Sequence, residues 1–172
     1  MGGEGPRRSM EATGGSIEYP TVEDIIDLNR TLIEVSGSGL QSPDLIRDRG
    51  TIDWAINDVQ GLGYDPCDTL IDKATLLAWR IVARHPFKDG NKRTGMGVAL
   101  AFLRTNGLGY VVTDGEIERI AKLCADCANT GYTEAKLKAW FTRITNIDWQ
   151  AYWEAIQEER MERDETDDYD EA

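Results

Sequence analysis

The ten residues HPFKDGNKRT, numbers 85–94, bring a titratable base, a carboxylate, cations and an amide into one short turn, with a glycine that lets the backbone approach a ligand. Apolar residues recur at helical spacing before this turn, at Leu70, Ala74, Leu77 and Ile81. Pro86 then disfavours helical geometry at the residue before it. Residues 91–106 form a second helical pattern that is apolar on nearly every face, which is typical of a buried helix. The sequence therefore predicts a loop at the mouth of a central helix.

The residue types in this loop suit phosphate chemistry. The N-terminus of a helix presents free N–H groups and a positive dipole, and Lys92 and Arg93 add charge to that anion site. Asp89 is a hard oxygen ligand suited to Mg²⁺. His85 is the only histidine in the chain, and histidine changes its charge near neutral pH, so it can accept a proton from a hydroxyl. Together these groups indicate phosphoryl or nucleotidyl transfer.

The loop resembles the signature of the Fic/Doc superfamily, HPFx(D/E)GN(G/K)R. Lys92 followed by Thr94 makes it most similar to the Doc (death on curing) branch. The run LIRDRG at residues 45–50, followed by a helical pattern, is similar to the segment that precedes the motif in Doc-like proteins. The resemblance covers roughly residues 20 to 145. It implies an all-α fold, a Fic/Doc-like helical bundle with a small β-flap.

The resemblance implies a role for each loop residue. His85 would be the catalytic base for the target hydroxyl, and Asp89 would hold Mg²⁺. Phe87 would point inward as an apolar anchor. The phosphates of ATP would be bound by the start of the helix, where Arg93 would pair with a phosphate oxygen; the expected phosphate-binding residues are Gly90, Asn91, Lys92 and Arg93.

A flap over the site is expected before the motif. In the family this region docks the target peptide by strand addition, and the residues expected to do so here are Leu45, Ile46 and Arg47, with Leu45 and Ile46 as exposed apolar contacts. From the residues alone, the glycines and the proline of this region are equally consistent with a plain loop between helices.

The transferred group is indicated by two departures from the AMP-transferring members. Those members usually have glycine where this chain has Lys92, and a second arginine where it has Met96. Both differences favour the Doc mode, in which the γ-phosphate of ATP passes to a threonine or serine of a protein, by the family's example a translation elongation factor of the Tu type. Charge alone leaves Lys92 compatible with either orientation of ATP. The alternatives are a Fic-type AMP transferase and a catalytically silent nucleotide- or antitoxin-binding module.

A Doc-like toxin would be neutralised by a separate antitoxin protein. Some relatives instead silence themselves with a helix carrying (S/T)xxxE(G/N). The nearest string here begins at Thr130 and reaches Glu134, but Ala135 follows. Inhibition is therefore expected from another chain.

Composition limits the other classes. The formal net charge is −12, but ten acidic and two basic residues follow from Glu154 onward, so the first 153 residues carry only −4. No basic patch exceeds the motif, which argues against nucleic acid as a ligand. No stretch has the length of a membrane span, and the N-terminus lacks the apolar core of a signal peptide. We expect a cytoplasmic protein with no membrane partner.

The cysteines are Cys67, Cys124 and Cys127. Cys124 and Cys127 have the spacing of half a zinc site or of a redox pair, but no second pair or spare histidine completes a zinc shell. The favoured interpretation is that both are small core residues of a helix.

Four segments are expected. Residues 1–19 are predicted to be a disordered N-terminal extension, 20–147 a Fic/Doc-like domain, 148–163 a C-terminal amphipathic helix and 164–172 an acidic disordered tail. The helix carries an aromatic stripe, Trp149, Tyr152, Trp153 and Ile156. Packing of this stripe on the domain is favoured over a partner site.

Overall fold

A computed structural model of the chain describes residues 16–36, 45–62 and 67–167. The helices are α1 (Val22–Ser36), α2 (Arg49–Asn57), α3 (Leu70–Arg84), α4 (Asn91–Thr105), α5 (Asp114–Ala125), the short α6 (Cys127–Thr130), α7 (Glu134–Thr145) and α8 (Trp149–Asp167), with a wider π-type turn at Asp58–Leu62 after α2. The described residues contain no strand. The all-α fold is thus confirmed. No helix of the described ranges is long and apolar enough to cross a membrane.

Helices α3 and α4 pack against each other at the centre of the domain. Gly95 permits their close approach, because a Cβ at this position would lie 2.6 Å from the Val82 Cγ2 and 3.0 Å from the Ala78 carbonyl oxygen. The apolar faces that the sequence predicted for both helices are buried in one core. The loop between these two helices is therefore mounted on the most heavily packed part of the molecule.

Four other helices pack on this pair. α1 and α5 pack on α4, and α2 and α7 pack on α3. Within the described ranges, six helices begin after a residue whose side chain accepts from an N–H of the first turn, namely Thr21, Asp48, Thr69, Thr113, Thr133 and Asp148. Such caps satisfy N–H groups that have no partner within the helix, which fixes where each helix starts.

A buried ion pair joins the turn after α2 to α3. The Arg80 Nε lies 3.3 Å from the Asp58 Oδ2, with side-chain exposures of 12% and 4%. The Arg80 guanidinium also stacks over the Trp54 ring, with its Cζ 4.2 Å from the ring centroid. This pair could not be predicted from the sequence, because its two members are far apart in the chain and neither lies in the motif.

The expected flap is represented by an isolated antiparallel bridge between Ile46 and Phe87. Residues 37–44, which would supply the rest of the flap, lie outside the described part of the chain. Leu45 does not fit the expectation that it forms an exposed contact. It is only 9% exposed, because its side chain packs inward while its backbone pairs with the loop.

Both ends of the domain differ from expectation in detail. The backbone N–H and carbonyl of Glu18 bond to the Asn106 side chain, so part of the extension expected to end at residue 19 is fixed on α4. At the other end, α8 continues through Asp167, past the expected boundary at residue 163.

The aromatic stripe of α8 is not a core element. Trp149 lies against Gly109, yet Trp149 is 39% exposed and Trp153 is 57% exposed. Trp149 and Trp153 are therefore not core residues, whereas the other two members of the stripe, Tyr152 and Ile156, are partly buried. Cys124 is fully buried as expected, but Cys127, which was also expected to be a core residue, is only partly buried.

Candidate active site

His85 is positioned by the end of α3. Its N–H donates to the Ile81 carbonyl at 3.3 Å, and its backbone is left-handed, with φ 52° and ψ 56°. A left-handed conformation costs a residue with a Cβ about 1–2 kcal/mol, and such strain concentrates at functional sites. The imidazole is partly exposed and makes no hydrogen bond within the described ranges. It is therefore available to a hydroxyl that enters the loop.

The N-terminus of α4 is an uncapped helix start. Its N-cap is Gly90, which has no side chain to cap it, and the first helical bond runs from the Thr94 N–H to the Gly90 carbonyl at 2.8 Å. The N–H groups of the first three helical residues, 91 to 93, thus have no partner within the helix. The Lys92 and Arg93 side chains are exposed beside them. This arrangement suits a phosphate chain.

Asn91 does a different task from the one expected. Its Nδ2 donates to the Phe87 carbonyl at 2.9 Å, and its Oδ1 accepts from the Phe87 N–H at 2.8 Å. The amide is thus committed to closing the loop, and the residue is only 8% exposed. Its contribution to a phosphate site would come from its backbone N–H. Phe87 itself is fully buried, so its expected role as an apolar anchor is confirmed.

The Asp89 carboxylate is partly engaged within the loop. Its Oδ1 accepts from the Gly90 N–H at 2.6 Å, and its other oxygen has no hydrogen-bond partner among the described residues. No group of three or more His, Cys, Asp or Glu in the described ranges could hold a metal. Mg²⁺ is commonly bound by one or two carboxylates with phosphate oxygens and waters as its other ligands. A single half-engaged carboxylate beside an anion site fits that pattern.

The flap residues support the loop from one side. The Pro86 carbonyl accepts from the Arg47 N–H at 2.7 Å and from the Asp48 N–H at 2.9 Å, and the Lys88 N–H donates to the Leu45 carbonyl at 2.8 Å. These bonds place the exposed Arg47 and the partly buried Ile46 next to the histidine end of the loop. The structure thus brings every expected site residue to one place.

Glu118 of α5 lies near the cations of the loop. Its hydrogen bond and charge interaction with Lys122, at 2.8 Å, lower the pKa of its carboxyl, and the charges of Arg93 and Lys92 lower it further. Its ion pair is nevertheless with Lys122. Among the described residues, the Arg93 guanidinium has no carboxylate partner, which leaves it free to meet a phosphate.

The fold and the loop together define a helical domain built around a turn between α3 and α4 that carries a histidine and two exposed cations. Residues 19–103 match the model of the Fic/DOC family, so this part of the chain is similar to that family. The chain is also similar to the protein named Toxin Doc of Mycolicibacterium smegmatis (strain ATCC 700084 / mc(2)155), at 34% identity over 85 residues. This alignment covers 48% of the chain and 65% of the relative, somewhat less than two thirds of its length.

Proposed function

We propose that this protein is a Doc-like kinase that transfers the γ-phosphate of ATP to a threonine or serine hydroxyl of a protein. The observation that supports it is the meeting, across one short loop, of a histidine at the end of α3 and the uncapped, cation-bearing start of α4. One packed helix pair holds both the base and the phosphate-binding helix end. This keeps the reacting groups in a fixed geometry, which is a large part of phosphoryl transfer catalysis.

The proposed reaction is a displacement at the γ-phosphorus of ATP. The target hydroxyl oxygen attacks the γ-phosphorus, and His85 takes the hydroxyl proton. The bond between the γ-phosphorus and the β–γ bridging oxygen breaks, and ADP leaves from the start of α4, where the Arg93 guanidinium and the free N–H groups hold its phosphates. Mg²⁺ bound through Asp89 would neutralise charge on the phosphate oxygens. The products are a phosphoprotein and ADP.

One structural observation favours γ-phosphate transfer over AMP transfer. The position at which AMP-transferring relatives usually carry a second arginine is Met96, which is fully buried and brings no charge to the site. Lys92, in place of their glycine, is exposed at the helix start. The cations at this helix start are therefore Lys92 and Arg93. These are the two cations that the resemblance to the Doc branch implies for phosphate binding.

The test is transfer from ATP labelled at either the α or the γ phosphate, with Mg²⁺ and a cell extract as the source of targets. Label from γ alone supports the kinase, and label from α makes the protein an AMP transferase. H85A should lower transfer by about 100- to 10,000-fold while nucleotide affinity stays close to wild type. Nucleotide binding without transfer in the wild type would instead leave a silent binding module.

The flap geometry supports strand addition by the target. Leu45 and Arg47 direct a carbonyl and an N–H toward the loop, and backbone groups alternate in direction along an extended segment. The N–H and carbonyl of Ile46 therefore face the opposite edge, where a target peptide can add. Ile46→Pro removes that N–H without removing a loop-facing bond. It should raise KM for the protein target and leave Mg·ATP binding unchanged; an unchanged KM would exclude docking at this edge.

The relative's name supports a further part of the proposal, a toxin whose partner is a separate antitoxin. By the family's example, the target is an elongation factor of the Tu type. Purified protein should then be active without deletion of any of its own segments, and its expression should arrest growth only when His85 is intact. Growth arrest by H85A as well would separate toxicity from catalysis.

A further inference from the structure

A side chain outside the motif reaches the loop from α1. Asn29 is 1% exposed, and its Nδ2 donates to the Asp89 carbonyl at 3.0 Å and to the Thr94 Oγ1 at 2.9 Å. A side-chain amide has two N–H hydrogens, so both are used. One fixes the loop backbone and the other fixes the first turn of α4.

The bond to Asp89 acts on a particular peptide unit, the one that joins Asp89 to Gly90. Its carbonyl is held by Asn29, and its N–H donates to the Asp89 carboxylate at 2.6 Å. If this peptide rotated, its N–H would turn away and the carboxylate would lose its partner. The orientation of the carboxylate is thus tied to the Asn29 bond.

Two features make such a rotation accessible without Asn29. Gly90, at φ +78°, has no Cβ to restrict its φ, and no side chain caps the helix start that follows. The approach of α1 is also close, since a Cβ at Gly90 would lie 2.7 Å from the Asn29 Nδ2 and 3.3 Å from the Ile33 Cγ1. The peptide is held against α1 by contact and by a hydrogen bond.

We infer that Asn29 is a positioning residue that sets the Asp89 carboxylate for its metal by fixing the Asp89–Gly90 peptide. This role rests on the proposed function, in which Asp89 holds Mg²⁺. When a residue that holds a metal ligand in place is removed, the metal affinity commonly falls by about 10- to 100-fold. Asn29 holds Asp89 in this way, although it lies sixty residues earlier in the chain.

The first test is the Mg²⁺ dependence of ATP binding, measured with a fluorescent ATP analogue. Asn29→Ala should shift the Mg²⁺ midpoint upward by about tenfold or more, with little change in nucleotide affinity without Mg²⁺. Asn29→Leu has nearly the same size but no donor, so it should behave like the alanine variant.

Two control variants separate positioning from general destabilisation. Thr94→Val removes the second Asn29 bond and leaves the bond to Asp89. Asn106→Ala removes an asparagine clamp elsewhere, whose Nδ2 donates to the Glu18 and Phe102 carbonyls at 2.9 Å each. Both should keep the wild-type Mg²⁺ midpoint. An unshifted midpoint in Asn29→Ala, or the same shift in both controls, would overturn the inference.

A second readout needs no nucleotide. Amide hydrogen exchange at Gly90 should accelerate in Asn29→Ala and stay near the wild-type rate in Thr94→Val, because the Gly90 N–H keeps its carboxylate partner only while the peptide is held. If the wild type bound no Mg·ATP, the proposed function would fail, while this exchange rate would still decide the role of Asn29. An unchanged Gly90 rate in Asn29→Ala would refute that role.

Discussion

The replacement Gly90→Ala tests the contact between α1 and the loop. Gly90 is in the left-handed region at φ +78°, and an added Cβ would lie 2.7 Å from the Asn29 Nδ2 and 3.3 Å from the Ile33 Cγ1. Two costs therefore coincide at one residue. The first comes from the backbone conformation and the second from the displaced neighbours.

The chain offers a matched control for the first cost. Gly107 has φ +82°, and a Cβ built there meets nothing within 4 Å. Gly107→Ala should lower the free energy of unfolding by about 1–2 kcal/mol, the cost of a left-handed residue with a Cβ. Gly90→Ala carries the same cost plus about 1–3 kcal/mol for overpacking against α1. Its loss should be visibly the larger of the two.

Equilibrium urea denaturation of both variants measures this difference. A double-mutant cycle then locates its cause. In the Asn29→Ala background the nearest obstructing atom is gone, so Gly90→Ala should cost at least 0.5 kcal/mol less, about the smallest interaction energy expected of residues in contact. Equal losses for the two glycine variants, or strict additivity in the cycle, would show that α1 does not press on the loop.

Three further outcomes test other parts of the structure. Arg80→Ala should lower the free energy of unfolding by about 3–5 kcal/mol, because it leaves a buried carboxylate unpaired. Arg30→Ala, at an exposed ion pair, should lower it by no more than about 1 kcal/mol. Urea titration measures both values. Burial alone would raise the pKa of Asp72, but hydrogen bonds from Lys138 and from the capping threonine lower it overall. The ion pair between Asp72 and Lys138 should therefore stabilise the fold at neutral pH, and Lys138→Ala should remove that stabilisation. As pH falls below about 4 and Asp72 becomes protonated, the free energies of unfolding of the wild type and of Lys138→Ala should converge. Burial raises the pKa of the Cys124 thiol to about 12, so Cys124 should resist a thiol reagent at pH 8 until the protein is denatured.

The helices around the loop were predictable because their signal is local. Apolar residues repeating at helical spacing place α3 and α4 on either side of the turn, and the predicted span of 91 to 106 differs from α4 by one residue at its end. Helix ends that depend on competition between side chains for the backbone were harder to predict from the sequence. One such boundary is Asp126, which separates α5 from the short α6.

The motif indicated which residues meet at the site but not what each side chain contacts. Asn91 was expected among the phosphate ligands, yet its amide closes the loop on Phe87. Asn29 lies on the buried side of α1, between Ile25 and Ile33. A buried polar group must find a partner, so an asparagine on a buried face was the available signal. Its partner lies far along the chain and could not be identified by spacing.

Hydrogen bonds from three directions hold the backbone of the loop. The flap residues donate to the Pro86 carbonyl and accept from the Lys88 N–H, and α4 holds both polar groups of Phe87 through its first side chain. α1 holds the Asp89 carbonyl. A site whose dipoles are fixed before substrate arrives does not have to reorganise them during reaction, which is the main electrostatic contribution that an enzyme makes. Since the three supports come from separate elements, any partner or replacement that moves α1 or the flap should act on the proposed phosphate site without contacting a bound nucleotide.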